Sequence, residues 1–189
     1  MIINEKDTLR KAFRLIRSIY SEDFISEISS AACENIAKLE EFKSASTVLL
    51  YFPINNELSP LPLLPLALKM GKRVAFPVCD HESGTLAFKE IQSLDELKAA
   101  KFGLFEPNNT CPTVTPDENT VCIVPAIAFS TDGNRLGYGK GFYDRFLKDF
   151  KGTPVGLVHS ELLVSYLPRD DHDTLLCTIA TEKEIYKIQ

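Results

Sequence analysis

Apolar residues recur at helical intervals near the start of the chain. Between residues 5 and 20 they are four, three and four positions apart: Leu9, Phe13, Ile16 and Tyr20. This spacing places them on one face of a helix. The basic residues of the segment form a neighbouring stripe with intervals of four, four and three: Lys6, Arg10, Arg14 and Arg17. We therefore expect positive charge along the edge of the surface on which this helix packs.

A second helix is expected directly after the first. The Ser21 hydroxyl can cap free backbone amides, and Glu22 and Asp23 complement the positive end of the helix dipole. The residues predicted to face inward are Phe24, Ile28, Ile36 and Leu39. Two helices thus precede the first strand.

Short runs rich in β-branched and aromatic residues follow, bounded by Pro, Gly and Asn. They cover residues 47–53, 72–79, 86–91, 120–129, 154–160 and 176–182. Most lack alternation of polar and apolar positions, which is typical of strands covered on both faces. Helices are predicted between them at 59–70, 93–101 and 142–150. Ser93 and Glu96 have the spacing of a capping box at the start of the second of these.

The alternation of strands and helices predicts an α/β fold, a three-layer sandwich around a mostly parallel sheet. The chain has 189 residues, 44% of them hydrophobic and 25% charged, with no repeat and no linker that would divide it. A chain of this size can bury a core of its own. We expect a single domain over residues 1–189.

Charge and cysteine content narrow the classes of function. The net charge of -5 opposes binding to nucleic acid. No apolar run approaches membrane-spanning length, and the start, MIINEKDTLRKAF, lacks a secretory signal pattern. The five cysteines form no CxxC pair and no zinc-binding spacing. These features predict a cytoplasmic protein with reduced thiols and with no nucleic-acid or membrane partner. We also expect a monomer, although none of these features determines the oligomeric state.

The segment RLGYGKGFYDRFL at residues 135–147 carries the candidate chemistry. Gly137, Gly139 and Gly141 stand at every second position after an apolar strand and before a predicted helix. Strand, glycine-rich loop and helix is the layout in which backbone amides and a helix N-terminus face a bound anion. Glycine permits positive φ and close approach of a ligand to the main chain. The spacing predicts an anion site.

Three charged residues strengthen this interpretation. Arg135 offers a forked donor for phosphate oxygens, Lys140 a movable positive charge, and Asp144 a carboxylate suited to Mg²⁺ beside a polyphosphate. The spacing is not that of a P-loop or of GxGxxG. A glycine-rich turn with solvated charges is the alternative that the glycine spacing alone leaves open.

The segment GNRLGYGKGFYDRFL, preceded by VPAIAF, closely resembles the hallmark of 5-formyltetrahydrofolate cyclo-ligases, also called methenyltetrahydrofolate synthetases. Phe142 stands where that family often has Tyr. The resemblance extends over nearly the whole chain. It implies a fold similar to the Rossmannoid fold of sugar-phosphate isomerases and CoA transferases, and ATP and Mg²⁺ as co-substrate and cofactor.

The resemblance also implies roles for distant residues. Lys6 and Arg10 match positions that reach ATP, Phe52 and Glu57 match positions that contact folate, and Asp173 matches a metal-assisting position. The implied ATP-binding residues are Lys6, Arg10, Arg135, Leu136, Gly137, Tyr138, Gly139, Lys140, Gly141, Phe142 and Tyr143. The implied substrate-binding residues are Phe52, Glu57, Tyr138, Gly139, Lys140, Gly141 and Phe142. Catalytic roles fall to Lys140, Arg135 and Tyr143, and Mg²⁺ ligation to Asp144 and Asp173.

Arg14 and Arg17 receive no role from the resemblance, and a solvated helix face is expected for both, so that Arg17→Ala would have little effect.

The implied reaction uses ATP to convert 5-formyltetrahydrofolate into 5,10-methenyltetrahydrofolate, ADP and phosphate, through phosphorylation of the formyl oxygen and ring closure by N10. Two alternatives stay open: a sugar-phosphate isomerase, which would need neither ATP nor Mg²⁺, and a catalytically silent nucleotide or folate sensor.

Overall fold

The structure is a computed structural model that describes residues 4–188, with the side chain of Phe102 left out. The segment judged to lack a secretory signal includes residues 1–3, which lie outside this range. The α-helices are α1 (Glu5–Ser18), α2 (Glu22–Lys38), α3 (Glu40–Ser44), α4 (Leu63–Lys69) and α5 (Phe142–Asp149). Short 3-10 helices span Leu94–Glu96, Lys101–Gly103 and Ser160–Leu162. Within the described residues no helix is long and apolar enough to cross a membrane.

The strands are short and run through most of the chain. They are β1 (Thr47–Leu49), β2 (Arg73–Asp80), β3 (Thr85–Glu90), β4 (Leu97–Ala99), β5 (Phe105–Pro107), β6 (Thr113–Val114), β7 (Thr120–Pro125), β8 (Ala128–Ser130), β9 (Arg135–Leu136), β10 (Thr153–Leu157), β11 (Leu163–Val164), β12 (Thr178–Ala180) and β13 (Ile185–Lys187).

A large mixed sheet forms the centre of the molecule, in the order β13-β12-β10-β7-β1-β2-β3-β6. The strands from β12 to β2 pair in parallel, and antiparallel strands close both edges. In the middle, Val48 lies opposite Val74 on one side and Val121 on the other. Smaller sheets have the orders β11-β8-β9 and β4-β5. The predicted α/β fold with a mostly parallel sheet is confirmed.

Strand β1 shows why the sheet is buried on both faces. Val48 and Leu50 face one core with α2, α3 and α4, whereas Leu49 faces a second core with α5 and the partly buried side of α1. All three side chains are fully buried. Removing such side chains from water on both faces is the main favourable contribution to folding. The three layers are thus helices, sheet and helices.

The predicted helix caps at Ser21 and Ser93 are confirmed, whereas the predicted bounds of two helices are wrong. The Ser21 hydroxyl accepts a hydrogen bond from the Phe24 amide at the start of α2, and Ser93 and Glu96 form the expected capping box. The helix predicted at 93–101 is wrong beyond that box, because the backbone that follows pairs as β4 with β5 instead. The helix predicted at 59–70 begins only at Leu63.

The strand predicted at 120–129 divides into two strands of different sheets. Strand β7 ends at Pro125, which lacks the amide needed to continue a ladder, and β8 leaves for the small sheet. A turn over residues 131–134 then joins β8 to β9. Because the chain leaves the central sheet after Pro125, the glycine-rich segment lies over the end of that sheet, directly before α5.

Candidate functional site

A cleft of about 790 Å³ lies at the carboxyl ends of the central parallel strands. Its walls include Phe52, which follows β1, Pro125 at the end of β7, and the last residues of β2. The first turns of α1 and the glycine-rich loop before α5 complete it. Open α/β sheets place ligands at this edge because the loops of several strands converge there.

The glycine loop has the backbone freedom that its spacing predicted, at two of its three glycines. Gly139 has φ 84° and Gly141 has φ 66°, whereas Gly137 is not in the positive-φ region. Gly141 caps α5 in the left-handed conformation. Arg10 lies directly beneath the loop: its Nε donates to the Gly137 carbonyl at 2.8 Å, and a Cβ on Gly139 would lie 3.2 Å from its Cζ. The loop is therefore braced from below by a cation.

Arg135 and Asp144 form an ion pair inside the cleft. Arg135 is buried, and its Nη2 donates to the Asp144 carboxylate. Its guanidinium lies 5.7 Å from the centre of the Tyr143 ring. Arg135 Nη1 is buried and has no hydrogen-bond partner among the described residues. One nitrogen of the guanidinium thus pairs with Asp144, and another has an unsatisfied hydrogen-bond donor.

Lys140 is exposed at the rim of the cleft. Its backbone carbonyl accepts a hydrogen bond of 2.8 Å from Arg145 Nη2, and Arg145 Nε donates to the Gly84 carbonyl at 2.6 Å. The same guanidinium lies 5.5 Å from the Phe142 ring centre. Arg145 therefore ties the glycine loop to the turn between β2 and β3. The sequence offered no signal for this role, since Gly84 lies 61 residues away.

Acidic residues line the cleft opposite the glycine loop. Lys6 Nζ donates to Asp170 Oδ2 at 2.7 Å and to Asp173 Oδ2 at 2.5 Å. Burial opposes ionisation of both Lys6 and Asp173, but their hydrogen bonds outweigh it, so the pKa of Lys6 is raised and the pKa of Asp173 is lowered. Ligand atoms of Asp170, His172 and Asp173 lie within 4.8 Å of one another and could hold a metal ion. The Thr174 hydroxyl donates to the backbone carbonyl of Asp144 at 3.4 Å.

The two residues predicted to bind metal therefore lie in adjoining segments, but with different partners. Asp144 contacts Arg135, whereas Asp173 contacts Lys6 and belongs to the group with Asp170 and His172. Asp144 is not a member of that group. Only Asp144 and Asp173 were predicted from the sequence as metal ligands, and Asp170 and His172 were not.

Glu57 also lines the cleft and is almost fully buried. Its Oε2 accepts a hydrogen bond of 3.1 Å from the Ile54 amide, and its Oε1 has no partner of standard geometry. Burial raises the pKa of Glu57 to about 7, although Arg17, the Ile54 amide and the nearby Tyr138 hydroxyl each lower it. A buried carboxyl group whose Oε1 lacks a standard hydrogen bond thus lies in the cleft lining.

Aromatic rings cover the wall beside this carboxylate. The rings of Phe52 and Phe105 lie 4.5 Å apart between centroids, tilted by 34°. Both line the cleft together with Leu104. Such a surface suits a planar ring system. Leu104 and Phe105 were not predicted as site residues. A helix was expected up to residue 101, where the structure instead has the hairpin of β4 and β5.

Most predicted site residues line one cleft, and two placements differ from expectation. Leu136 is buried in the core beneath the loop, so its side chain does not line the cleft. Arg17 is also buried, contrary to the expected solvated face, and contacts backbone carbonyls. Arg14 is exposed, as expected, and lines the cleft.

The charges of the cleft nearly cancel. Among the described residues, its lining contains five basic side chains, Lys6, Arg10, Arg14, Arg135 and Lys140, and six acidic ones, Asp7, Glu57, Glu106, Asp144, Asp170 and Asp173. A polyphosphate would be repelled by the acidic side unless a cation lay between them. The unpaired Arg135 Nη1, the glycine loop and the carboxylates of the cleft could therefore hold a phosphate-bearing ligand together with a divalent cation.

Comparison with known proteins identifies relatives. The sequence matches the 5-formyltetrahydrofolate cyclo-ligase family over residues 2–182. A 5-formyltetrahydrofolate cyclo-ligase of Escherichia coli strain K12 is 34% identical over 148 residues, 76% of this chain and 81% of that protein. The NMR structure of Aquifex aeolicus 5,10-methenyltetrahydrofolate synthetase has a TM-score of 0.85 and 35% identity, covering 98% of this chain and 94% of the other. A 5,10-methenyltetrahydrofolate synthetase of Mycoplasma pneumoniae, with a TM-score of 0.76 and 22% identity over 95% of this chain and 99% of the other, shares the fold.

Proposed function

This chain belongs to the 5-formyltetrahydrofolate cyclo-ligase family, and from that premise we propose that it uses ATP and Mg²⁺ to convert 5-formyltetrahydrofolate into 5,10-methenyltetrahydrofolate, ADP and phosphate. The observation that carries the proposal is that two different sets of groups line one cleft. The glycine loop with Arg135 and Lys140 forms what we call the anion end, and Glu57 with Phe52 and Phe105 forms what we call the folate end. A phosphate donor and a folate can therefore meet between them.

The reaction needs activation of a poor leaving group. The formyl oxygen of an amide leaves with difficulty as hydroxide or oxide. Transfer of the γ-phosphoryl group to this oxygen breaks the bond between the β-γ bridging oxygen of ATP and phosphorus, and releases ADP. Attack of N10 on the formyl carbon then closes the ring, and loss of phosphate and of the N10 proton leaves the methenyl product. No protein nucleophile takes part in this scheme.

The residues at the anion end hold and neutralise the phosphates in our proposal. The backbone amides of residues 137–141 and the free Arg135 Nη1 bind phosphate oxygens, and the mobile Lys140 ammonium follows the transferred group. Lys6 and Arg10 stabilise charge from α1, and Tyr143 lines the pocket where the phosphoryl group moves. Phosphoryl transfer depends chiefly on such positioning and charge neutralisation.

The carboxylates at this end would hold the metal ion. Asp144 and Asp173 are the proposed ligands, and Asp170 and His172 stand close enough to Asp173 to join them. When bound there, Mg²⁺ would supply positive charge that offsets the negative charge of the phosphates. Lys6 donates to both Asp170 and Asp173, so its ammonium has to move aside when they bind metal.

At the other end the folate rings lie against the aromatic wall. Phe52 and Phe105 contact the planar parts of the substrate, and Tyr138 and Phe142 close the cleft from the glycine loop. The free Oε1 of Glu57 accepts a hydrogen bond from a ring N–H group. An ionised Glu57 is required for this, since a protonated carboxyl would offer fewer acceptor sites.

A direct assay tests the proposal. The purified protein is mixed with Mg²⁺, ATP and 5-formyltetrahydrofolate, and the ultraviolet absorbance of methenyltetrahydrofolate is followed together with ADP release. We expect both signals at equal rates, and neither when ATP is omitted or Mg²⁺ is chelated. Binding of ATP or folate without turnover would favour a sensor, and isomerisation of a sugar phosphate without ATP would favour an isomerase.

The setting that we propose is a cytoplasmic monomer in which the whole chain forms one catalytic unit. The five cysteines are all free, with no disulfide between them, which supports a reducing compartment. The net negative charge supports small anionic substrates held locally rather than nucleic acid.

A further inference from the structure

Arg17 is a buried cation at the end of α1, with an exposed fraction of only 2%. Its guanidinium donates to the backbone carbonyls of Ile54 at 3.0 Å, Asn55 at 2.6 Å and Asn56 at 3.2 Å. A further bond of 3.4 Å reaches the carbonyl of Ala126, in the connection between β7 and β8. One side chain thus joins α1, the loop after β1 and the exit of β7.

The loop held by Arg17 is conformationally unusual. Asn55 and Asn56 have φ of 50° and 55°, in the left-handed region that non-glycine residues seldom adopt. Each such residue costs about 1 kcal/mol, although Asn tolerates it best. Asn56 Nδ2 donates back to the carbonyls of Arg17 at 3.0 Å and Tyr20 at 3.2 Å. The strained turn is therefore clamped from both sides.

The loop ends at Glu57, the buried carboxylate of the cleft. The Glu57 amide donates to the Ile54 carbonyl at 3.0 Å, and the same carbonyl accepts from Arg17. The Arg17 charge acts electrostatically on the Glu57 carboxyl. No carboxylate makes a salt bridge with Arg17 among the described residues. A buried guanidinium used in this way is costly for stability alone, because an apolar side chain would fill the space at less expense.

We propose that Arg17 is a positioning residue of the substrate site, which clamps the 54–57 loop so that the Glu57 carboxylate stays aimed at the folate end of the cleft. The nucleotide end of α1 is anchored separately, by the hydrogen bond from Arg10 to the Gly137 carbonyl. Loss of the Arg17 contacts should therefore weaken the binding of folate and leave the binding of ATP unchanged. This inference rests on the proposed function, since it concerns the residues that contact the folate.

The test compares Arg17→Lys with the wild-type protein. Lysine keeps the charge but cannot reach four carbonyls with one ammonium. We expect the KM for 5-formyltetrahydrofolate to rise about tenfold while the KM for ATP stays within a factor of two. Hydrogen exchange at the amides of residues 54–57 should become faster. Lys11→Ala, an exposed position on the same helix, is the control for both measurements.

A second variant acts from the loop side and keeps Arg17. Asn56→Gly retains the left-handed backbone without strain but removes the bonds from Nδ2, so it should raise the same KM and leave the ATP value unchanged. Equal rises in both KM values, or an unchanged folate KM with unchanged exchange in a folded Arg17→Lys protein, would overturn the inference. Absence of wild-type turnover would instead overturn the proposed function.

Discussion

The Lys6 ammonium donates a hydrogen bond of 2.5 Å to Asp173 Oδ2, across 167 residues of sequence. Both side chains are largely buried, at 11% and 9% exposure. The contact ties the first turn of α1 to the acidic segment of the cleft. The Lys6 cation thus compensates part of the negative charge of Asp170 and Asp173.

Replacement of this lysine should show what the pair contributes. We expect Lys6→Met to lower the free energy of unfolding by about 1–2 kcal/mol at pH 7, because Asp170 and Asp173 lose their shared cation. The pKa of Asp173 is lowered in the fold, so its share of the stability is present above the unfolded pKa and is lost as pH falls through the folded value. Urea unfolding at pH 7 and near pH 3 measures this.

The difference between wild type and Lys6→Met should therefore shrink at the acidic pH. Lys11→Met is the matched control, since Lys11 is exposed on the same helix. A difference that is the same size at both pH values would contradict an ion pair as its source.

Lys140 is the most direct test of the anion end. We expect Lys140→Ala to lower kcat/KM by about 10²–10³, because a mobile positive charge on the transferring phosphoryl group is lost. Stability should change by less than about 0.5 kcal/mol, since the side chain is exposed. Lys151→Ala removes an exposed lysine beyond α5 and should leave the rate unchanged. Near-normal turnover in a folded Lys140→Ala protein would remove Lys140 from the mechanism.

The buried Glu57 predicts an unusual dependence on pH. Its pKa is raised to about 7, so the folded state retains a proton that the unfolded state has already lost. Stability is then lost as pH rises from about 4.5 to 7, by about 3 kcal/mol for this group alone. Glu57→Gln should remove this loss and be more stable than wild type at pH 8. Thermal or urea unfolding across this range provides the measurement.

The same substitution should separate stability from function. The kcat/KM for 5-formyltetrahydrofolate should increase with an apparent pKa near 7 in the wild type, and Glu57→Gln should lower it and flatten that profile. Glu118→Gln, an exposed acid outside the cleft, is the control. A wild-type profile that persists in Glu57→Gln would assign the titration to another group.

A comparison of two glycines with similar backbone conformations can distinguish the effect of backbone strain from the effect of contact with Arg10. Gly139 and Gly71 have φ of 84° and 73°, so alanine at either position should cost about 1 kcal/mol or more of stability. Only at Gly139 would the new Cβ approach Arg10, at 3.2 Å, while at Gly71 the space is open. We expect Gly139→Ala to raise the KM for ATP several-fold and Gly71→Ala to leave it unchanged. Equal effects of the two variants would show that Arg10 does not matter to the loop.

Local signals in the sequence predicted much of the fold and the anion end of the site. The capping serines, Ser21 and Ser93, act on amides within three residues, so their role depends little on the rest of the chain. The glycine spacing before α5 likewise predicted backbone freedom at Gly137, Gly139 and Gly141, and the last two of these are left-handed. The distant positions Lys6 and Asp173 were found only through family resemblance, since nothing in local spacing links them.

The other features of the fold and of the site depend on contacts between residues that are far apart in the sequence. Residues 97–99 follow a helix cap but become a strand, because pairing with β5 satisfies their backbone groups and buries Leu97. Arg17 continues a basic helical stripe, yet the loop after β1 folds over it and supplies carbonyl acceptors. The sequence alone determined which segments could turn, cap and approach an anion. The tertiary structure decided which charges are buried and what they hold, because burial and long-range hydrogen bonds depend on how the layers meet.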